Sequence, residues 1–286
     1  MWSLCCNMWT LGSTIVGMRA DQEIYTHGHA PSVLRSHTSR TVANSAAYVA
    51  NRLVPGAAVL DVGCGPGTIS VDIASLVAPG PVLAIDPAAG PLESARALAA
   101  EAGLDTITFR TGDVYALDAP DDAFDVVHAH QVLQHLGDPV AALREMLRVC
   151  RADGAVAARD ADYAAMTWYP ADPRLDRWLG IYHAVARGNR AEPDAGRHLL
   201  AWAHAAGASS VVPSASAWCF ATPEDRAWWG GMWADRIVDS AIAGQAVAGG
   251  HAAAAELEEI SRAWREWAAQ PDGWFAILHG EIVCTP

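Results

Sequence analysis

Residues Val59 to Ser70 read VLDVGCGPGTIS. An apolar run of β type carries the acidic Asp61, and Gly63, Gly65 and Gly67 then crowd a turn before Thr68 to Val77 resumes as a helix. Glycines at this density let the backbone approach a ligand closely. A helix opening behind them aims its unpaired N-terminal N–H groups at an anionic or polar part of that ligand. Strand, tight turn and helix in this order are a unit of α/β architecture that binds nucleotide cofactors. The NAD-type pattern requires glycine or alanine at the sixth position of GxGxxG, where this chain has Thr68; the spacing is GxGxG behind an acid.

Further elements follow in order. Val82 to Asp86 (VLAID) is a second apolar strand, with Pro87 behind it. It ends in an acid about twenty residues past the loop, where a carboxylate can accept both ribose hydroxyls of an adenosine. Thr106 to Thr111 is a third, followed by Gly112-Asp113-Val114. Phe124 to Ala129 is a fourth, running into His130-Gln131-Val132-Leu133-Gln134-His135-Leu136 and closed by Asp138-Pro139. From the glycine turn to Pro139 these segments resemble the class I S-adenosylmethionine-dependent methyltransferases, and the stretch after the fourth strand is similar to that of the ubiquinone/menaquinone-biosynthesis type of small-molecule enzyme.

The resemblance implies an α/β fold: a Rossmann-like doubly wound seven-stranded sheet, its last strand antiparallel, with a helical cap or lid. It implies S-adenosylmethionine as cofactor, held by Asp61, Gly63, Gly65, Gly67, Asp86 and Pro87. It adds Gly112, Asp113 and Val114, where an acid meets the adenine amino group and a backbone N–H its ring, and His130 and Gln131 after the fourth strand. An NAD(P)-dependent oxidoreductase is the competing reading of the loop.

With 286 residues, 52% hydrophobic and 18% charged, the chain can bury one large core or a core plus a cap, and a single catalytic domain with insertions is expected. The formal charge of −13 would repel a phosphate backbone over most of the surface, and no NPPY-like tetrapeptide follows the fourth strand, so nucleic acid is excluded as substrate. Six cysteines form no CxxC pair, which points to reduced thiols in a cytoplasm. No apolar run reaches the 18 residues of a spanning helix. The partners expected are a small-molecule acceptor and a second copy of the chain.

Residues 1–17 are apolar but lack a basic n-region and an A-x-A-like cleavage site, and read as an upstream start or a loosely packed extension. Residues 18–57 read as a helical segment covering the site, 58–163 as the cofactor-binding core, and 164–286 as the rest of the core with lid helices inserted at about 171–188 and 223–270. Gly90-Pro91 opens a helix that Gly103 can stop, and Asp138-Pro139 opens another that buries Val140, Leu143, Met146, Leu147 and Cys150. Gly154 to Asp160 is a fifth strand, Pro193 to Ala206 a helix stopped by Gly207, and Ala208 to Phe220 and Phe275 to Cys284 the last two strands. Pro31 to Leu53, Asp172 to Arg187 and Pro223 to Gln270 lie outside this core and read as helices placed to cover the carboxyl edge of the sheet.

A sulfonium is already an activated methyl donor, so the chemistry asks mainly for alignment and exclusion of water. His130 is the candidate base, being the first residue past the fourth strand. Asp160 and Tyr163, at the end of the fifth strand, are candidates for acceptor binding. Trp229 and Trp233, one helical turn apart, are candidates for a shared pocket wall. Tyr25 and Arg40 are candidates for the methionine carboxylate. His27, His29 and His37 have no carboxylate at ligand spacing, so no metal is expected. Two other readings share the cofactor half: a non-methylating cyclisation or decarboxylation, and arsenite methylation, which would require gathered thiolates where only Cys64 stands.

Overall fold

β-type runs of three to twelve residues alternate with helices, and the computed structural model, which describes Thr26 and residues 37–286, assembles them into one sheet with helices packed on it. Residues 1–17 and Tyr25, His27 and His29 lie outside the described residues. The strands are β1 (Val59–Val62), β2 (Val82–Asp86), β3 (Ile107–Thr111), β4 (Phe124–His130), β5 (Cys150–Ala161), β6 (Thr167–Tyr169), β7 (Ser210–Phe220) and β8 (Trp274–Thr285). The helices are α1 (Thr68–Val77), α2 (Ala89–Glu101), α3 (Pro139–Val149), α4 (Pro173–Gly188), α5 (Leu199–Ala206), α6 (Pro223–Asp239), α7 (Ala241–Ala248) and α8 (Ala254–Ala269).

The sheet runs β3-β2-β1-β4-β5-β8-β6, with β7 paired to the other edge of β8. Strands β1 to β5 are parallel, and β8 is antiparallel to β5, β6 and β7. Chain order reverses between β1 and β4, the switch point outside whose carboxyl ends open α/β sheets bind ligands. All four residues of β1 are buried, as a central strand covered on both faces requires.

Eight strands stand where seven were expected. The addition is β6, which pairs with Trp274–Ala276 at the start of β8, before the pairing of β8 with β5 begins at His279. The expected helix from Pro193 is also divided: Ala195–Arg197 form a tight 3-10 turn and α5 begins only at Leu199. Here Gly196 passes so close to β8 that an added Cβ would lie 2.7 Å from the Gly280 amide nitrogen, so only glycine fits at this turn.

Local signals set the helix starts. Asp138 accepts the Ala141 N–H at 2.9 Å with Pro139 at the first turn, Asp172 caps α4 in the same way, and Thr222 with Asp225 forms a reciprocal cap on α6. Before β1, Val42–Ala46 and Ala47–Arg52 make two irregular helical turns that bury Val42, Ala46 and Val49 beside α1, and the Val42 N–H donates to Asp72 at 2.9 Å.

Helices α4, α6, α7 and α8 form a cap with its own core, centred on the fully buried Trp178, Trp233 and Trp264. Phe275 of β8 fastens this core to the sheet, with ring contacts to Trp168, Trp178, Trp229, Trp264 and Trp267. Among the described residues no helix is long and apolar enough to cross a membrane.

Candidate active site

The glycine turn leaves β1 with Gly63, Gly65 and Gly67 all in the left-handed region, at φ of +67°, +53° and +81°. Gly67 is the N-cap of α1, and a Cβ there would lie 2.6 Å from that of Ala95, so this position serves helix packing. A Cβ on Gly65 would meet nothing closer than His37 Nδ1 at 3.9 Å, because it would project into open space above the turn. That space is a cavity of about 360 Å³ at the carboxyl ends of β1, β2 and β4.

Two carboxylates frame the turn. Asp86, at the end of β2, accepts the Gly65 N–H through Oδ2 and the Ala88 N–H through Oδ1, both at 2.9 Å, and lines the cavity. Asp61 also reaches the wall, but Ser70 donates to its Oδ2 at 2.5 Å and His128 Nδ1 meets its Oδ1 at 2.8 Å. Asp61 therefore anchors the turn to α1 and β4. Pro87, Gly112 and Val114 line the cavity beside Asp86. Asp113 does not; it lines a smaller adjacent cleft, and its Oδ1 accepts the Tyr115 N–H at 2.9 Å.

Beyond β4 the chain turns sharply at Gln131, whose φ is +54°. Its side chain accepts from Arg40 at 2.7 Å and donates to His279 Nε2 at 3.0 Å, so His279 presents a neutral, accepting nitrogen there. His130 lines the cavity, is buried, and has neither ring nitrogen hydrogen-bonded. Burial first, then the charges of Arg40 and Arg159, hold its pKa well below the ordinary histidine value. The imidazole is thus neutral, with an accepting nitrogen available to a bound molecule.

The other end of the cavity is lined by Ala161, Tyr163, Met166, Trp218, Trp229 and Ile277. Tyr163 stacks on Tyr182 with ring centroids 4.0 Å apart. Trp229 stacks on Phe220 at 4.3 Å. Trp233 is not on this wall: it is fully buried, with Trp178 edge-on at 4.6 Å, because it is turned about 40° from Trp229 around α6 and faces the cap core. Asp160 is also kept out, its Oδ1 accepting the Gln134 N–H at 3.2 Å, and burial pushes its pKa up to about 7. Cys64 lines the cavity as a thiol, its pKa raised by burial and by Asp61 and Asp86.

The methyltransferase-domain family matches residues 53–207 of the chain, more than half its length. A methyltransferase of Schizosaccharomyces pombe, itself described as uncharacterised, is 35% identical over 274 residues, covering 92% of this chain and 96% of its own. The chain belongs to the S-adenosylmethionine-dependent methyltransferases. Over 101 residues, 35% of this chain and 43% of the other, it is 41% identical to a ubiquinone/menaquinone biosynthesis C-methyltransferase of Bdellovibrio bacteriovorus. In fold it is similar to the YcgJ protein of Bacillus subtilis, with a TM-score of 0.55 and 19% identity over 84% of this chain and 97% of that one.

Two residues of this methyltransferase's cavity, and one buried just behind its wall, escape a reading of the sequence. His128 is the register partner of Asp61 across β1 and β4, and only strand pairing brings the two together. Trp218 lies on β7 with its indole N–H donated to the Asn44 carbonyl at 2.7 Å, closing the wall against the N-terminal turns. Arg236 lies seven residues beyond Trp229 on α6 and lines the same end of the cavity, so the helical spacing that singles out the tryptophans also marks it.

Proposed function

We propose that this methyltransferase transfers the methyl group of S-adenosylmethionine to a small, mainly apolar or aromatic metabolite. The observation that carries this reading is the single cavity, which runs from the Gly65–Asp86 turn past His130 to the aromatic end at Trp229 and Tyr163. The turn suits the cofactor. Its left-handed glycine opens onto free space, its helix N-terminus presents N–H groups, and the Asp86 carboxylate lines the cavity where ribose hydroxyls would lie. When bound, the cofactor supplies a methyl group already activated on a sulfonium.

The chain's own residues supply placement. Trp229, Met166, Ile277 and Tyr163 enclose an apolar acceptor and keep water from it. His130, neutral and with both ring nitrogens unpartnered, offers an accepting nitrogen that can orient an acceptor hydroxyl or amine by a hydrogen bond.

The test is calorimetry with S-adenosylhomocysteine, followed by incubation of the protein with methyl-labelled cofactor and a small-molecule extract. Binding, with label entering the small-molecule fraction, supports the reading. Binding of NADH in place of S-adenosylhomocysteine, or label remaining wholly on the cofactor across extracts, would count against it.

A further inference from the structure

A folded chain seldom buries a hydrogen-bonding group without a partner, because such a group gives up its hydration and receives nothing in return. His130 and Trp229, both on the cavity wall, are of this kind. His130 is 5% exposed and neither of its ring nitrogens is hydrogen-bonded. Trp229 is 4% exposed and its indole Nε1–H has no acceptor.

The rings packed beside them do not supply the missing partners. Trp229 has Phe220 at 4.3 Å, Phe275 at 5.7 Å and Trp233 at 6.1 Å, centre to centre, and none of these side chains carries an accepting oxygen. His130 has Trp218 at 5.8 Å and His279 at 6.4 Å, and the indole N–H of Trp218 is given to Asn44. Trp178 and Trp264 also keep buried N–H groups without an acceptor, but they lie inside the packed cap and do not line the cavity. Trp229 differs from them in having space beside it that a ligand can fill.

The two residues ask for different chemistry. An indole N–H only donates, so its partner must be an atom that accepts. A neutral imidazole has one donating and one accepting nitrogen, and a hydroxyl, which does both, suits it whichever nitrogen carries the proton. Burial first, then neighbouring positive charge, keeps His130 in that neutral form.

Resting on the methyltransferase reading above, we propose that the acceptor is an apolar molecule with a polar group at each end, a hydroxyl held by His130 and a carbonyl-type oxygen held by the Trp229 indole N–H. Trp229 then selects the acceptor through one hydrogen bond as well as through the area of its ring. An analogue without the carbonyl would leave that N–H buried and unpaired, and sites built to bind a polar group reject analogues that lack it.

The experiment titrates three probes of one framework by calorimetry into the full chain saturated with S-adenosylhomocysteine: 2-acetyl-6-hydroxynaphthalene, 2-ethyl-6-hydroxynaphthalene, which lacks the carbonyl, and 2-acetylnaphthalene, which lacks the hydroxyl. The first should bind at least about tenfold more tightly than either of the others. Trp229→Phe, which keeps an aromatic ring and loses the N–H, should erase the preference for acetyl over ethyl, retain the preference for the hydroxyl, and leave S-adenosylhomocysteine affinity within about twofold. His130→Phe should erase the hydroxyl preference and retain that for acetyl. Should either variant fail to fold, the three wild-type affinities and the other variant decide. The inference is overturned if wild type binds S-adenosylhomocysteine but does not prefer the first probe to both analogues, if Trp229→Phe keeps the full acetyl preference, or if it weakens all three probes alike, as lost packing alone would do. Failure of S-adenosylhomocysteine to bind wild type would instead bring down the underlying reading, and this inference with it.

Discussion

Asp61 of β1 and His128 of β4 are opposite one another in the parallel register, and their side chains meet at 2.8 Å in the interior. A carboxylate can only accept, so His128 carries its proton on Nδ1. Together with the Ser70 hydroxyl, this pair fixes the exit of β1 just before the glycine turn. Asp61→Ala would leave a buried hydroxyl and an imidazole N–H unsatisfied, at a cost of about 2–4 kcal/mol. Asp61→Asn, which keeps an acceptor, should cost less. Urea denaturation of the two variants measures this order, and equal stability of wild type and Asp61→Ala would refute it.

At Gly65 the obstacle to a side chain is conformational. A φ of +53° disfavours any β-branched residue, and the added atoms would occupy cavity space. Gly65→Val should keep a near wild-type circular dichroism spectrum and lose S-adenosylhomocysteine binding in calorimetry.

Asp86 serves both the ligand and the turn, since the Gly65 and Ala88 amides rest on it. Asp86→Ala should weaken S-adenosylhomocysteine by about 1.5–3 kcal/mol. Asp86→Asn, with one accepting oxygen, should fall between the variant and wild type, and an unchanged dissociation constant for Asp86→Ala would exclude the contact.

The tryptophans of α6 should separate by depth. Trp233→Ala opens a hole in the cap core and should cost about 3–5 kcal/mol in stability. Trp229 lines the cavity, so Trp229→Ala should also raise the acceptor's apparent dissociation constant and leave that of the cofactor within about twofold. Thermal melts and binding titrations on the same preparations compare the two.

Acid should destabilise the fold well above the usual carboxylate range. The depressed pKa values of His130, His135 and His279 mean that these groups stay neutral when folded and take up protons when unfolded, so stability falls as pH drops below about 6.5. Asp160 has the opposite sign: raised to about 7, it holds a proton in the folded state that the unfolded chain releases above about pH 4, so its contribution declines as pH rises between those values. Near pH 5.5 the three histidines together outweigh the single opposing carboxyl, so the net effect is a loss of stability with acid. Asp160→Asn should raise stability at pH 8 and steepen the acid loss, both visible in denaturation curves at pH 8, 6.5 and 5.5.

The strand, turn and helix around Gly63–Gly67 were legible because the apolar run, the glycines and the helical spacing are all local. The lid helices were legible for the same reason, through Pro173 and Pro223 behind capping residues. Strand β6 was not. Three residues are too few to show alternation, and Thr167–Tyr169 become a strand only because β8 extends past its pairing with β5. Trp229 and Trp233 share a helical stripe, but spacing alone cannot show that Trp229 borders the cavity while Trp233 faces the cap core. Arg236 sits on that stripe too, where a lone cation reads as a solvated side chain until the fold buries it. Asp160 lies at the right strand end, and its orientation depends on the Gln134 amide, which only the folded turn after β4 presents.

Gln131 joins parts of the chain that are far apart in sequence. Arg40, 91 residues before it, grips one end of its amide, and His279, 148 residues after it, receives the other. The left-handed backbone at this one position lets a single side chain reach both the segment before β1 and the strand β8. Arg40 and β8 are thereby coupled through one amide, so a displacement of Arg40 must either break its contact with Gln131 or pull on His279 through the same side chain.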